Sequence, residues 1–166
     1  MGQVGTSSTI RPATVSDLDI IDAIEAASFA LDRFPRRNLR RMLIRGRTRF
    51  WLARCKDEPA GYAGVSFRKG SRVARLYTLA VLPGFKGQGI GVALIEAGIV
   101  AAHRADCRCM RLEVRGSNQP ARKLYERLGF RLLSRLSSYY EDGETALRYE
   151  QSSPVTGDGV EETDPL

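Results

Sequence analysis

Residues 76–105 read LYTLAVLPGFKGQGIGVALIEAGIVAAHRA, and the fold follows from how this stretch is parsed. Leu76 to Leu82 is an apolar, β-favouring run that stops at Pro83. Val92 to Ala102 is rich in helix formers and carries a single charge, Glu96. Between strand and helix lies Gly84-Phe-Lys-Gly-Gln-Gly-Ile-Gly91. Glycines at alternate positions 87, 89 and 91 remove the Cβ atoms from a tight turn, so successive backbone amides can converge at the helix N-terminus. Unpaired amides and the positive end of the helix dipole make that point an anion site, and a diphosphate fits it.

Other readings of the glycines stand beside this one, the plain turn being the commoner use of such a cluster. A close-packed βα turn needs no ligand. A P-loop would need GK[ST], which does not follow. Gly87-x-Gly89-x-Gly91 with Glu113 about 20 residues on mimics a dinucleotide fingerprint, but the third glycine is misplaced for GxGxxG and too little chain follows for further βαβ units.

Moving outward, Val73 to Val81 is the full strand that feeds the loop, and Lys69-Gly-Ser is a turn before it. Arg49 to Cys55 and Gly61 to Phe67 are two more strands joined by Lys56-Asp-Glu-Pro. Thr9 to Arg11 begins as a short strand. Thr14-Val-Ser-Asp offers helix caps before an apolar stripe at Leu18, Ile20, Ile21, Ile24 and Ala27, which predicts a first helix to about Phe29. Leu39, Met42 and Leu43 mark a second short helix whose other faces carry Arg36, Arg37, Arg40 and Arg41. These arginines could attract an acidic partner or simply face solvent. On the C-terminal side, Met110 to Val114 is a strand, Ala121 to Leu128 a helix, and Thr145 to Glu150 a final strand pairing back across Glu141-Asp-Gly143 on a strand that carries Tyr139 and Tyr140.

At 166 residues the chain predicts one domain over 1–150. From Gln151 the composition turns polar, with Asp158, Glu161, Glu162 and Asp164 and no basic residue, which predicts an acidic disordered tail over 151–166. Setting aside those four carboxylates leaves 15 acids against 26 Lys+Arg, a charge of +11 on the rest. The cations are 22 Arg and 4 Lys, spread along the domain without an RNA-binding aromatic signature, so no specific nucleic-acid partner is expected. No run spans a membrane and the start lacks a signal-peptide pattern, which predicts a cytoplasmic protein. Cys55, Cys107 and Cys109 read as reduced thiols, and with His103 as the only histidine no metal site is expected.

The glycine stretch resembles the acyl-CoA motif of the GNAT superfamily of N-acyltransferases, Arg/Gln-x-x-Gly-x-Gly/Ala, which stands here as Lys86-Gly-Gln-Gly89-Ile-Gly91. The resemblance extends over about residues 8 to 150, through Val81-x-Pro83, Leu112-Glu-Val-Arg-Gly-Ser-Asn118, Leu124-Tyr125-Glu126 and Leu128-Gly-Phe130. Within the superfamily these segments look most like the bacterial ribosomal-protein alanine N-acetyltransferases, although the Phe-x-x-x-Pro-Trp common there is replaced by Phe29-Ala-Leu-Asp-Arg-Phe-Pro35-Arg.

The resemblance implies a single α/β (α+β) domain, a mixed sheet of about seven strands with about four helices and splayed central strands. It implies acetyl-CoA as co-substrate, with Lys86, Gly87, Gln88, Gly89, Ile90 and Gly91 around the diphosphate. Backbone groups of Leu79, Ala80 and Val81 would meet the pantetheine and thioester, and Asn118 would contact CoA. Glu113 would be the general base, against the alternative of an ion pair with a neighbouring arginine. Tyr125 would touch the thioester sulfur as general acid, against the alternative of packing on Leu128 and Phe130. The α1–α2 region would border the acceptor. Tyr139 and Tyr140 are candidates to shape that pocket, or cross-strand pairs.

The acceptor it implies is the α-amine of a protein N-terminus, such as a ribosomal protein. An α-amine of pKa about 8 is roughly a tenth neutral at pH 7, against about 0.04% for a lysine. A lysine or a small-molecule amine is the alternative acceptor, and a dinucleotide-binding oxidoreductase or a non-catalytic basic RNA-binding module are the readings from other classes. The sequence is compatible with a monomer or a homodimer.

Overall fold

The computed structural model describes residues 8–29 and 32–152. The acidic tail expected over 151–166 lies outside the described residues from 153 onward, while Gln151 and Ser152 belong to the last strand. Among the described residues there are seven strands and four α-helices in one fold. The described residues fall into two units, those up to 69 with 75–98, and 70–74 with those from 99 onward.

In the first unit the strands run β1 (Ser8–Pro12), β2 (Thr48–Cys55), β3 (Glu58–Phe67) and β4 (Val73–Val81), in that order within the seven-stranded sheet. β1 pairs antiparallel with β2, Ile10 opposite Ala53, and β2 pairs antiparallel with β3, Trp51 opposite Ala63. The β2–β3 connection is tighter than the four-residue turn read from Lys56-Asp-Glu-Pro. Lys56 and Asp57 both take positive φ (54° and 68°), the pattern of a two-residue hairpin, so Glu58 and Pro59 already pair with Cys55 and Arg54. A proline fits inside β3 because the register shifts beside its partner, between Ala53 and Arg54.

Helix α1 (Leu18–Ser28) starts after a 3-10 turn, Val15–Asp17, in which the Thr14 hydroxyl accepts from the Ser16 amide and Asp17 accepts from the Thr14 amide at 2.9 Å. Asp17 also takes the Arg11 guanidinium at 2.7 and 3.0 Å, which lowers its carboxyl below the usual range. Leu18, Ile21 and Ile24 of α1 pack with Leu39 of α2 (Arg36–Arg45), Phe50, Leu52, Tyr62 and Ala80 in one core. α2 stops at Gly46, whose φ of 78° lets its amide turn back to the Met42 carbonyl. Helix α3 (Ile90–Arg104) follows the glycine loop.

In the second unit β5 (Cys109–Arg115), β7 (Ala146–Ser152) and β6 (Arg131–Leu136) lie in that order, both pairings antiparallel, with helix α4 (Gln119–Arg127) between β5 and β6 in the chain. Leu112, Leu147, Tyr149 and Phe130 are almost fully buried. Tyr139 and Tyr140 are not on a strand as the sequence suggested. β6 ends at Leu136, Ser138 takes a positive φ of 51°, and the two tyrosines sit in the turn that follows, edge to face at 5.0 Å. The Tyr140 amide bonds the Glu144 carbonyl and the Gly143 amide bonds the Tyr140 carbonyl, so local turn bonds replace ladder bonds there.

Candidate active site

The first unit holds the strand–turn–helix on which the anion site was expected. β4 ends at Val81, a 3-10 turn covers Pro83–Phe85, and Lys86 to Gly89 lead into α3. Gly87 and Gly89 take φ of 82° and 80°, the region glycine enters without penalty, and a Cβ built at either meets nothing within 4 Å. Lys86, Gly87, Gln88 and Gly89 are exposed, whereas Ile90 is buried and anchors the helix start. The first turn of α3 closes with the Ala93 amide on the Gly89 carbonyl at 3.0 Å. The amides of Ile90, Gly91 and Val92 therefore have no intrahelical acceptor and project from the helix end with its dipole. No acid sits in that turn to compete with an incoming anion.

The Cys55 thiol donates to the Gln88 carboxamide oxygen at 3.7 Å and ties the loop to the end of β2. Leu79, Ala80 and Val81 complete the strand–turn–helix. Ala80 is buried, and Gly61 lets β3 pack against its carbonyl, since a Cβ at position 61 would lie 2.5 Å from that oxygen. All the residues expected at the cofactor from 79 to 91 thus belong to one continuous element.

The second unit holds the other expected residues. Glu113 lies opposite Arg148 across the β5–β7 ladder, and Arg148 Nε donates to its Oε2 at 2.7 Å. The Glu113 side chain is 9% exposed, so the ion pair seen as its alternative role is present in the fold. Tyr125, in the last turn of α4, is buried and packs edge to face on Phe130 at 5.8 Å. Burial, with Tyr140 nearby, pushes its phenol well above the ordinary tyrosine range, so it holds its proton at neutral pH. Asn118 caps α4, its side-chain oxygen accepting from the Ala121 amide at 3.2 Å.

Around these residues is a network the sequence reading did not assemble. Arg115 pairs with Asp142 and Glu144 and lies 4.1 Å over the Tyr140 ring. Glu144 also accepts the Ser117 amide at 2.8 Å, and hydrogen bonds from the Ser117 hydroxyl, Arg115 and that amide hold its carboxyl at about 2. Tyr149 donates to Glu126 at 2.6 Å, while Arg122 bonds both the Tyr149 hydroxyl and the Gly116 carbonyl. The signal was the acidic turn Glu141-Asp-Gly-Glu144 in a basic chain.

A buried carboxylate in the first unit was also missed. Glu25, with no exposed surface, accepts from the Tyr62 hydroxyl and from the Phe34 amide at 2.9 Å, and Tyr62 lies 3.4 Å from the Thr78 hydroxyl. Burial raises both the Glu25 carboxyl and the Tyr62 phenol. The Phe34 ring stacks on Tyr77 at 4.9 Å. Glu25 interrupts an apolar helix stripe at the i+4 position from Ile21, which was the available signal.

The three cysteines are free thiols. Among the described residues no group of three or more His, Cys, Asp or Glu could hold a metal ion, and no helix is long and apolar enough to cross a membrane.

Known proteins share this architecture. The crystal structure of the ribosomal-protein-S18-alanine N-acetyltransferase from Escherichia coli superposes with a TM-score of 0.80 and 26% identity, covering 93% of this chain and 99% of that one. A Bacillus subtilis (strain 168) protein provisionally named as a ribosomal protein bS18-alanine N-acetyltransferase is 31% identical over 144 residues, 86% of this chain and 93% of the relative. An N-alpha-acetyltransferase of Sulfurisphaera tokodaii is 32% identical over 162 residues, 91% of this chain and 95% of the relative. Residues 18–130 match the model of the acetyltransferase (GNAT) family, a span that takes in the glycine loop, Glu113 and Tyr125 and sets aside the dinucleotide reading of the glycines. The chain therefore belongs to the GNAT family and is an acetyl-transferring enzyme.

Proposed function

We propose that the protein moves acetyl from acetyl-CoA to the α-amine of a protein N-terminus, such as that of a ribosomal protein. The observation that carries the cofactor is the open, positive-φ pair Gly87 and Gly89 at the head of α3. In this reading the amides from Gln88 to Gly91 hold the diphosphate and Lys86 adds charge without a planar fork. Backbone groups of Leu79 to Val81 line the pantetheine, and one of their amides stabilises the tetrahedral oxyanion. Asn118 contributes to the CoA site while capping α4.

In the transfer, the neutral amine nitrogen attacks the thioester carbonyl carbon. Glu113 takes the proton the nitrogen loses, directly or through water, and Arg148 fixes the carboxylate's orientation. As the C–N bond forms and the C–S bond breaks, the Tyr125 phenol gives its proton to the departing sulfur, and its buried position keeps that proton in place until then. The acceptor is supported by the relatives named as ribosomal-protein alanine and N-alpha-acetyltransferases and by the larger neutral fraction of an α-amine near pH 7.

The test is mass spectrometry of two peptides incubated with enzyme and acetyl-CoA, one with a free N-terminus and no lysine, the other N-terminally blocked with a lysine. Acetylation of the first alone is expected. Acetylation of the second alone would make this a lysine enzyme, and a blank on both would move the acceptor to another peptide sequence or a small amine.

A further inference from the structure

From Arg33 to Lys56 the sequence has ten cations and no Asp or Glu. The sequence reading saw the arginines as spread along the domain, yet the fold brings four of this run, Arg37, Arg41, Arg45 and Arg47, to one edge of the first unit together with Arg68 and Lys69. On α2, Leu39 points into the core with Met42 and Leu43 packed beside it. That leaves Arg37, Arg41 and Arg45, at i, i+4 and i+8, as a column on the outer face, about 6 Å apart along the axis. Gly46 turns the chain directly into Arg47, whose carbonyl accepts the Phe67 amide at 2.8 Å. The next residues after Phe67 are Arg68 and Lys69, so the end of α2 and the open end of the β2–β3 ladder form one basic edge.

All six residues are exposed, and none makes an ion pair with another described residue. Nearby acids are used elsewhere on α1, where Asp19 and Asp22 take Arg36 and Arg33. Arg45 in the last turn suits the helix dipole, but the N-terminal end of the column runs against the helix's own electrostatics. Like charges at i, i+4 repel, and two arginines with no acid occupy the first turn, at the positive end of the dipole. Asp19 and Asp22 compensate Arg36, but Arg37 and Arg41 face no acid among the described residues, and local rules broken without internal compensation mark a surface shaped by something outside the chain.

We propose that this edge docks the phosphate backbone of RNA, without reading its sequence. A polyanion is required by the single sign of the charge. Protein interfaces are depleted of charge at their core, whereas nucleic-acid interfaces are strongly positive, which favours phosphate over an acidic polypeptide. Arginine, rather than lysine, supplies a planar fork that matches phosphate oxygens. The choice of RNA over DNA rests on the proposed acceptor, because a ribosomal protein is presented among ribosomal RNA.

The test is fluorescence anisotropy of the full chain with a labelled single-stranded RNA oligonucleotide across a salt series, beside DNA of the same sequence and polyglutamate of matched charge. Wild type should bind RNA more tightly than polyglutamate and no less tightly than DNA, which carries the same phosphates. Each lost phosphate contact should reduce the salt slope by about 0.7 and the affinity about 4-fold at 0.15 M salt. Arg37→Ala/Arg41→Ala/Arg45→Ala together should lower the slope by about 2 and weaken binding about 50-fold. The triple Arg→Lys variant keeps the charge and should keep most of the slope, and unchanged acetyl-CoA binding shows that each variant is folded. Unaltered RNA binding in the alanine variant would overturn the location. Polyglutamate binding as tightly as RNA would assign the edge to an acidic protein, and a tighter DNA complex would remove the RNA assignment. Neither acetyl-CoA nor acceptor is present in the binding assay, so a blank in the peptide assay would retract the acceptor and leave RNA binding standing.

Discussion

Replacing Gly89 by alanine separates folding from cofactor binding. Its φ of 80° costs an L-residue roughly 1–2 kcal/mol, and because nothing lies within 4 Å of the added Cβ there is no clash to add to it. For a domain of this size that is a fall in Tm of about 2–8 °C. The methyl, however, stands in the space where a diphosphate would approach the amides at the head of α3. Losing one charge-assisted hydrogen bond costs about 1.5–3 kcal/mol, or about 10- to 100-fold in Kd for acetyl-CoA. Calorimetric titration with CoA and thermal unfolding measured on one preparation read both numbers, and Gly89→Val should enlarge both. Gly61→Ala is the contrasting case. Its Cβ would press to 2.5 Å on the Ala80 carbonyl, so it should damage folding first. A Gly89→Ala protein that loses the expected Tm but binds CoA within about 2-fold of wild type would refute the diphosphate cradle.

Four further outcomes are expected. Glu113→Gln should lower kcat about 100-fold with CoA affinity intact, and an unchanged rate would move the base elsewhere. Tyr125→Phe keeps the ring contact with Phe130 and should also lower kcat about 100-fold; full activity with normal stability would leave Tyr125 a packing residue. The raised Glu25 carboxyl means the native state holds that proton more tightly than the unfolded chain. Its stabilisation is therefore present below the ordinary value of 4.5 and is lost as pH rises through the raised native value. The Tm of wild type relative to Glu25→Gln should fall across that window, and a pH-independent difference would contradict the burial argument. Glu144 has the opposite sign. Held at about 2, its grip on Arg115 and the Ser117 amide persists above 4.5 and is lost only as pH falls toward 2, so the Ser117 amide resonance should titrate near 2 rather than near 4.5.

The sequence by itself determined what is encoded within a few residues. The apolar run of β4, the proline that stops it and the glycines whose positive φ shapes the loop all act locally, so the strand, the glycine turn and α3 were legible, as was the stripe of α1. Motif order then led to the family before any coordinate was known. The tertiary structure decided what depends on register and on elements far apart in the chain. Arg148 faces Glu113 only because β5 and β7 pair antiparallel in one register, 35 residues apart. Glu25 is tolerable in a core only because Tyr62, 37 residues on, and the Phe34 amide converge on it. Tyr139 and Tyr140 have strand propensity, but local turn bonds beside Arg115 outweigh it. The arginines looked dispersed because distance along a chain says little about which charges share a surface. Only the turn at Gly46 and the β2–β3 pairing bring them to one edge, because an unscreened charge can be recognised as such only when every nearby carboxylate is placed.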